Sequence, residues 1–284
     1  MSIKTDCAKE KLGIKNIIPW IKFKYSFNQS HPEYFEADGI VVYVGEQGSG
    51  KTISAVNYVY NLLKSYPNSK LVTNLQLKDY PIVTFDDYFE TNSIIIKGMI
   101  DQELKESDII KIMYNSYLEK NRVFFFQDND DFGRYNNDDK GVIFLVDEIQ
   151  LYLNSLESKN INMDTLVQIS QQRKQRKHII GTSQVFGRMA KPVREQFSNI
   201  ILCKCYFHIL QRNQLIDRDS LEDDNSTGTN LKGKVKKVFM WFHHPDMYER
   251  YDTYKVIQKG KFVSGENQVK GVYNDGNNQL SVSP

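Results

Sequence analysis

The chain has 284 residues, 40% hydrophobic and 25% charged, with a formal net charge of +2. That is ordinary globular composition, sufficient for one large domain or one domain with a small appendage, and the near-neutral balance excludes a whole-molecule field as an argument for any partner, so only local clusters can carry one. Three cysteines, Cys7, Cys203 and Cys205, exclude a disulfide framework and point to a reducing compartment.

No run approaches the ~20 apolar residues of a spanning helix, and the start of the chain lacks the apolar core and small-residue cleavage site of a secretory signal. The expected location is the cytoplasm, a host's cytoplasm if the chain is viral, with peripheral attachment to a membrane or virion left open.

Residues 1–38 read as a basic lead-in. Between Met1 and Lys24 six lysines stand against Asp6 and Glu10. Trp20 to Phe27 alternates apolar and polar residues, which predicts a half-buried strand. Residues 39–210 alternate strand-like and helix-like segments, predicting an α/β domain with a mainly parallel sheet covered by helices. Gly39 to Val44 is a buried parallel strand. Gly45-Glu46-Gln47-Gly48-Ser49-Gly50-Lys51-Thr52 follows it and fits G-x-x-x-x-G-K-[ST], the phosphate-binding loop. A helix from Ile53 to Ser65 then supplies a positive N-terminal end. In this reading the loop amides from Gly45 to Thr52 cradle a pyrophosphate, Lys51 reaches the β- and γ-phosphates of ATP, and Thr52 holds Mg²⁺.

Leu71 to Asn74 reads as a short strand. Ser93 to Lys120 reads as two helices, around Glu103 and Tyr114, and Val123 to Phe126 as a strand or an insertion. Asp128 to Asp139 is acidic; Asp128, Asp130, Gly133 and Asp139 sit near calcium-loop offsets, but Phe132 occupies a ligand position, which favours a solvated surface loop. Val142 to Val146 is a buried strand ending in Asp147 and Glu148. Here the first carboxylate would hold Mg²⁺ and the second would deprotonate the attacking water. Met163 to Lys177 is expected to be a helix. His178 to Gln184 is expected to be a strand whose terminal Gln184 can touch the γ-phosphate or the water. Asn199 to Leu210 is a further strand, with Cys203 and Cys205 as small side chains on one face. Residues 211–259 comprise a polar loop, Asp217 to Lys237, and two late strands at Val238 to His243 and Thr253 to Ile257. Residues 260–284 read as a flexible tail.

Together Gly45 to Thr52, Leu71 to Leu77, Val142 to Gln150 and Arg173 to Gln184 resemble the FtsK/HerA superfamily of DNA-pumping ATPases. Within it they resemble the branch of zonula occludens toxin (Zot)-like filamentous-phage assembly ATPases and viral genome-packaging ATPases. The resemblance covers residues 39–210, with a weaker match at Tyr251 to Tyr254. It implies a RecA-like P-loop fold with small N- and C-terminal extensions, ATP and Mg²⁺ as cofactors, and a hexameric homo-oligomer around DNA. It also implies that Arg173, with Arg176 as the alternative, acts as a finger in the neighbouring subunit's site. The functions implied are translocation or packaging of viral or mobile-element DNA, or phage assembly or export at a membrane with capsid or membrane assembly proteins as partners. An ATP-binding scaffold with little turnover is the third reading. The phage-assembly members carry a spanning segment after the ATPase domain and none is found here, which favours a packaging motor or a separately encoded membrane partner. Candidate phosphate-backbone contacts are Lys174/Arg176/Lys177, Arg188/Lys191/Arg194 and Lys232/Lys234/Lys236/Lys237.

Overall fold

A strand covered on both faces must be apolar at every position, and the runs at Gly39 to Val44 and Val142 to Val146 meet that condition. In the computed structural model of the chain both are strands with every residue buried. The structure describes residues 17–37, 39–102, 104–154, 163–221 and 233–252. In chain order the elements are α1 (Ile17–Ser30), β1 (Gly39–Val44), α2 (Lys51–Ser65), β2 (Lys70–Thr73), α3 (Phe85–Thr91), α4 (Ser93–Asp101), α5 (Glu106–Lys120) and β3 (Val123–Phe125). They continue with α6 (Asp131–Arg134), β4 (Val142–Val146), α7 (Met163–Ser170), β5 (Lys177–Ser183), α8 (Lys191–Arg194), β6 (Asn199–Tyr206), β7 (Leu210–Ile216), β8 (Val235–Phe242) and α9 (Pro245–Tyr248). The chain divides into two units, Met1–Tyr34 and Phe35–Pro284.

The eight strands form one sheet in the order β3-β2-β4-β5-β1-β6-β7-β8. Pairing is parallel from β3 through β6 and antiparallel at β6–β7 and β7–β8. One strand, β5, therefore stands between β1, which leads into the phosphate loop, and β4, which ends in the carboxylates. This is the RecA-like P-loop arrangement the sequence implies, extended by an antiparallel edge. Period two divides the core. Ile40, Val42, Val44, Val142, Phe144 and Val146 pack with Phe85, Ile109, Met113 and Tyr117 on one face. Val41, Tyr43, Ile143 and Leu145 pack with Ala55, Val56, Val59 and Leu63 of α2 on the other.

Several expectations are corrected. Trp20 to Phe27 is helix α1, not a strand, and α1 buries none of its residues. Helical spacing aligns Phe23 with Phe27 at 6.1 Å and stacks Phe27 on His31 at 4.4 Å, contacts that an isolated strand would forgo. The helix expected to reach Lys177 stops at Ser170, and Gln171 to Arg176 form turns with Arg176 at φ 54°. Lys177 is 2% exposed and its ammonium donates to the Phe132 carbonyl at 2.6 Å, so the chain leaves the helix to bring this residue into β5. The strand expected over Asn199 to Leu210 ends at Tyr206 and returns as β7, and β8 begins at Val235, within the stretch expected to be loop. The acidic stretch after Phe126 is solvated only in part: Asp130, Gly133, Asn136, Asp138 and Asp139 are exposed, whereas Asp131, Phe132 and Tyr135 are buried. The Asp131 carboxylate accepts from the Gln127 amide and from Arg134, each at 2.6 Å.

Val123 to Phe125 is a strand at the sheet edge. Of the two expected helices, the one around Tyr114 is α5, whereas α4 ends at Asp101, short of the expected centre at Glu103, and α3 precedes both; Glu103 lies outside the described residues, as do Cys7, the expected strand at Thr253 to Ile257 and residues 260–284. Among the described residues no helix is long and apolar enough to cross a membrane.

Candidate active site

The β1–α2 connection turns sharply because Gly48 and Gly50 take left-handed conformations, φ 77° and 81°, which glycine adopts without steric cost. A Cβ at Gly50 would lie 2.0 Å from Gln211 Oε1, whereas one at Gly48 would meet nothing within 4 Å. The loop is thus clamped from behind at Gly50 and open in front at Gly48, beside the exposed Gln47; Gly45 is buried at the end of β1. No side chain caps the N-terminus of α2, so its first-turn amides and dipole are directed at whatever occupies the loop. Lys51 is buried, and its ammonium donates to the Glu46 carbonyl at 3.0 Å across the loop. The Ser49 hydroxyl is buried without a hydrogen-bond partner.

Strand β4 brings Asp147 and Glu148 to the same end of the sheet. Thr52 Oγ1 donates to Asp147 Oδ1 at 3.0 Å, and Thr182 Oγ1 at the end of β5 donates to the same oxygen at 2.6 Å. Burial pushes the Asp147 carboxyl above the usual carboxylate range, against the hydrogen bonds from Thr182 and Thr52. Asn74 holds the backbone here from both sides: its amide donates to the Asp147 carbonyl at 2.9 Å and its oxygen accepts from the Asp147 N–H at 2.8 Å. Glu148 sits at φ 51°, ψ 49°, a left-handed conformation costing a non-glycine residue about 1–2 kcal/mol. That turn directs adjacent carboxylates to one site. Glu148 Oε1 accepts from Gln184 Nε2 at 2.9 Å, and Oε2 accepts from Gln150. The loop lysine, both carboxylates, Thr52 and Gln184 are therefore assembled around one end of the sheet.

Arg173 is not among them. It lies in the turn before β5, at the opposite end of that strand from Gln184. A seven-residue strand spans about 20 Å, so Arg173 does not reach its own chain's loop. Arg176 is in the same turn, 3.8 Å from Asp139. Of the candidate DNA-contact residues, Lys177 is buried against Phe132 and presents no charge at the surface. Lys236 and Lys237 lie on β8 rather than in a loop, with Lys236 paired to Asp217 at 2.9 Å. Lys232 lies outside the described residues. Arg188 and Lys191 are exposed and Arg194 is half-buried.

Sequence reasoning assigns no role to Asn74, Thr182, Gln211 or Asn213. Gln211 is fully buried on β7; its amide donates to the Ser49 carbonyl at 3.0 Å and to Asn213 Oδ1 at 2.7 Å, and Asn213 donates to Ser54 Oγ on α2 at 3.1 Å. A polar chain thus fastens the antiparallel extension to the back of the loop. The signal available is the alternation in Leu210-Gln-Arg-Asn-Gln-Leu-Ile216, where buried positions are polar and pass for a loop.

No protein-family model and no curated protein matches the chain. Among solved structures it is similar to the N-terminal domain of zonular occludens toxin from Neisseria meningitidis, at 15% identity and a TM-score of 0.47, over 76% of this chain and 100% of that one. It is similar to the DNA-packaging ATPase B204 from Sulfolobus turreted icosahedral virus, at 14% identity and a TM-score of 0.38, over 58% and 75% respectively. It is also similar to the flagellar accessory protein FlaH from Methanocaldococcus jannaschii, at 11% identity and a TM-score of 0.34, over 62% and 77%. These are likenesses of shape.

Proposed function

We propose that the chain is an Mg²⁺-dependent ATP hydrolase that works as a motor on viral or mobile-element DNA, packaging or translocating it. The observation that carries the hydrolase is the convergence of Thr52, Asp147, Glu148 and Gln184 beside the phosphate loop. The donors fit the group. Open space at Gly48, the orphaned Ser49 hydroxyl and the uncapped α2 amides suit phosphate oxygens. Thr52 and Asp147 offer the hard oxygen ligands that Mg²⁺ takes together with substrate phosphates. Held there, Mg²⁺ would neutralise phosphate charge. Lys51 binds the β- and γ-phosphates. Glu148 accepts a proton from water as the water oxygen attacks the γ-phosphorus; the bond to the β–γ bridging oxygen breaks, releasing ADP and phosphate. Gln184, bonded to Glu148, orients that water.

The placement of Arg173 supports a ring of copies, hexameric in this reading. Far from its own loop, it can act in catalysis only at a site on an adjoining subunit, where such a residue would be worth roughly 10³–10⁵ in rate. DNA is gripped through its backbone by exposed lysines and arginines such as Arg188 and Lys191. The test is the ATPase rate with and without single- and double-stranded DNA, together with mass measurement in ATP. DNA stimulation and an ATP-dependent ring are expected; ATP turnover that DNA leaves unchanged defeats the motor reading.

A second reading, a peripheral membrane ATPase for virion assembly or export, is favoured by α1, where Trp20 and Phe23 are 62% and 66% exposed beside Lys22 and Lys24. An exposed Trp20 with Lys22 and Lys24 beside it suits the headgroup level of an anionic bilayer. Flotation with anionic vesicles separates the two readings.

A further inference from the structure

The segment after β8 packs along α2 and shares a cavity with the phosphate loop. Tyr60 Oη on α2 donates to the Arg250 carbonyl at 3.2 Å, Arg250 Nη1 donates to Asn57 Oδ1 at 3.0 Å, and Tyr251 forms a bridge with Leu77 after β2. Beneath it is a cavity of about 330 Å³, floored by Gly48 and Gly50 to Ile53 and walled by Cys205, His208, His243, Tyr248 and Tyr251. Thr52, Asp147, Glu148 and Gln184 mark the γ-phosphate end on the β4–β5 side of the loop, and β6 flanks β1 on the other side. A triphosphate seated with its γ end at Glu148 therefore carries its nucleoside toward β6 and this cavity.

Resting on the nucleotide-binding reading above, we propose that His208, His243 and Tyr248 form the nucleoside site, and that it selects purines by stacking without reading the base edge. The polar atoms of Tyr248 and His243 are already engaged. Tyr248 Oη donates to the His208 carbonyl at 2.9 Å and also meets His243 Nδ1, while His243 Nε2 bonds to Gln211 Oε1 at 3.0 Å. What remains is ring surface: Tyr248 is 50% exposed, and its ring lies 5.5 Å from that of His243. Among the described residues lining the cavity there is no Asp, Glu, Asn or Gln to discriminate adenine from guanine by hydrogen bonding, whereas stacking is worth about 1–3 kcal/mol per base and grows with ring area.

The hairpin that presents His208 supports a functional origin. Phe207 and His208 both adopt left-handed conformations, φ 53° and 59°, and the Ile209 amide donates to the Tyr206 carbonyl at 3.2 Å. This is a type I′ turn, whose usual residues are Asn-Gly. Phe207 is 86% exposed, so burial does not account for the strained choice. Strain retained at a cavity rim points to a role in binding.

The test is binding of ATP, GTP, CTP, UTP and inorganic tripolyphosphate to the full chain with Mg²⁺. ATP and GTP are expected within about tenfold of each other, and CTP and UTP at least about fivefold weaker. Tyr248→Leu should weaken purine binding at least about fivefold and leave tripolyphosphate unchanged, and Tyr248→Phe should retain purine affinity within about twofold. Replacing Phe207-His208 by Asn-Gly should raise Tm while weakening purine binding. A preference between ATP and GTP beyond tenfold overturns the proposal, as do equal purine and pyrimidine affinities or an unaltered Tyr248→Leu. Each of these leaves the phosphate-loop reading intact. Failure of both ATP and tripolyphosphate to bind, or retention of both by Lys51→Ala, defeats that underlying reading instead.

Discussion

Thr52 Oγ1 and Asp147 Oδ1 lie 3.0 Å apart across 95 residues of chain, and the buried Asp147 carboxylate is held above its ordinary pKa by desolvation. A cation beside Asp147 would reverse that penalty. Asp147→Asn is therefore expected to leave Tm in EDTA unchanged or higher, while removing the stabilisation given by ATP with Mg²⁺. At a hundredfold excess over Kd that stabilisation is about 2.7 kcal/mol for the wild type. Thermal melts with and without EDTA check it; a full ligand-induced shift in the variant contradicts the assignment.

Glu148 is linked to Gln184 and Gln150 through opposite oxygens. Glu148→Gln should keep ATP affinity and lose turnover by about 10²–10⁴, the usual weight of a general base. Single-turnover hydrolysis measures this. Lys51→Ala should lose binding as well, since it removes the cation facing the phosphates.

Arg173→Ala should bind ATP and fail to hydrolyse it, with Arg176→Ala as the control for the alternative. Because the site and the finger would come from different subunits, mixing Arg173→Ala with Glu148→Gln protein should restore part of the activity, as some interfaces then join an intact loop to an intact finger. Mixtures no more active than either variant alone argue against a finger acting between subunits.

Burial lowers the Lys177 ammonium to about 8 from 10.5. Between those values the unfolded chain binds the proton and the folded chain does not, so stability rises with pH from about 8 to about 10.5 and falls again as pH descends through that window. Denaturant unfolding across the window should show that slope, and Lys177→Met should flatten it.

Gln211 meets the loop at Ser49 and crowds Gly50. Gln211→Leu leaves the Ser49 carbonyl and Asn213 without that donor, costing about 1–3 kcal/mol. It should also weaken nucleotide binding, read by denaturant unfolding and titration with ATP; unchanged affinity would show that the extension does not support the loop.

Legibility in the sequence follows burial chemistry. β1 and β4 are readable because strands covered on both faces admit only apolar residues, and the loop and carboxylate motifs are readable because each is contiguous. The pairing of Asn74 and Thr182 with Asp147 joins three distant segments, so no local pattern announces it. β7 escapes a sequence reading because Gln211 and Asn213 satisfy each other and the loop inside the core, a solution visible only once β7 lies beside β6. α1 passes for a strand because eight residues fit period two and period 3.6 alike, and only the side-chain stacking along the helix separates them. The early end of α7 is hidden because Gln171 to Arg176 are good helix formers, overruled by the anchoring of Lys177 at Phe132.

The left-handed backbone at Glu148 sets heat resistance against chemistry. Selection for resistance to heat alone would favour glycine or asparagine at this position, relieving local strain and discarding the carboxylate. A variant library sorted by melting temperature and then by phosphate release should rank residue 148 in opposite orders.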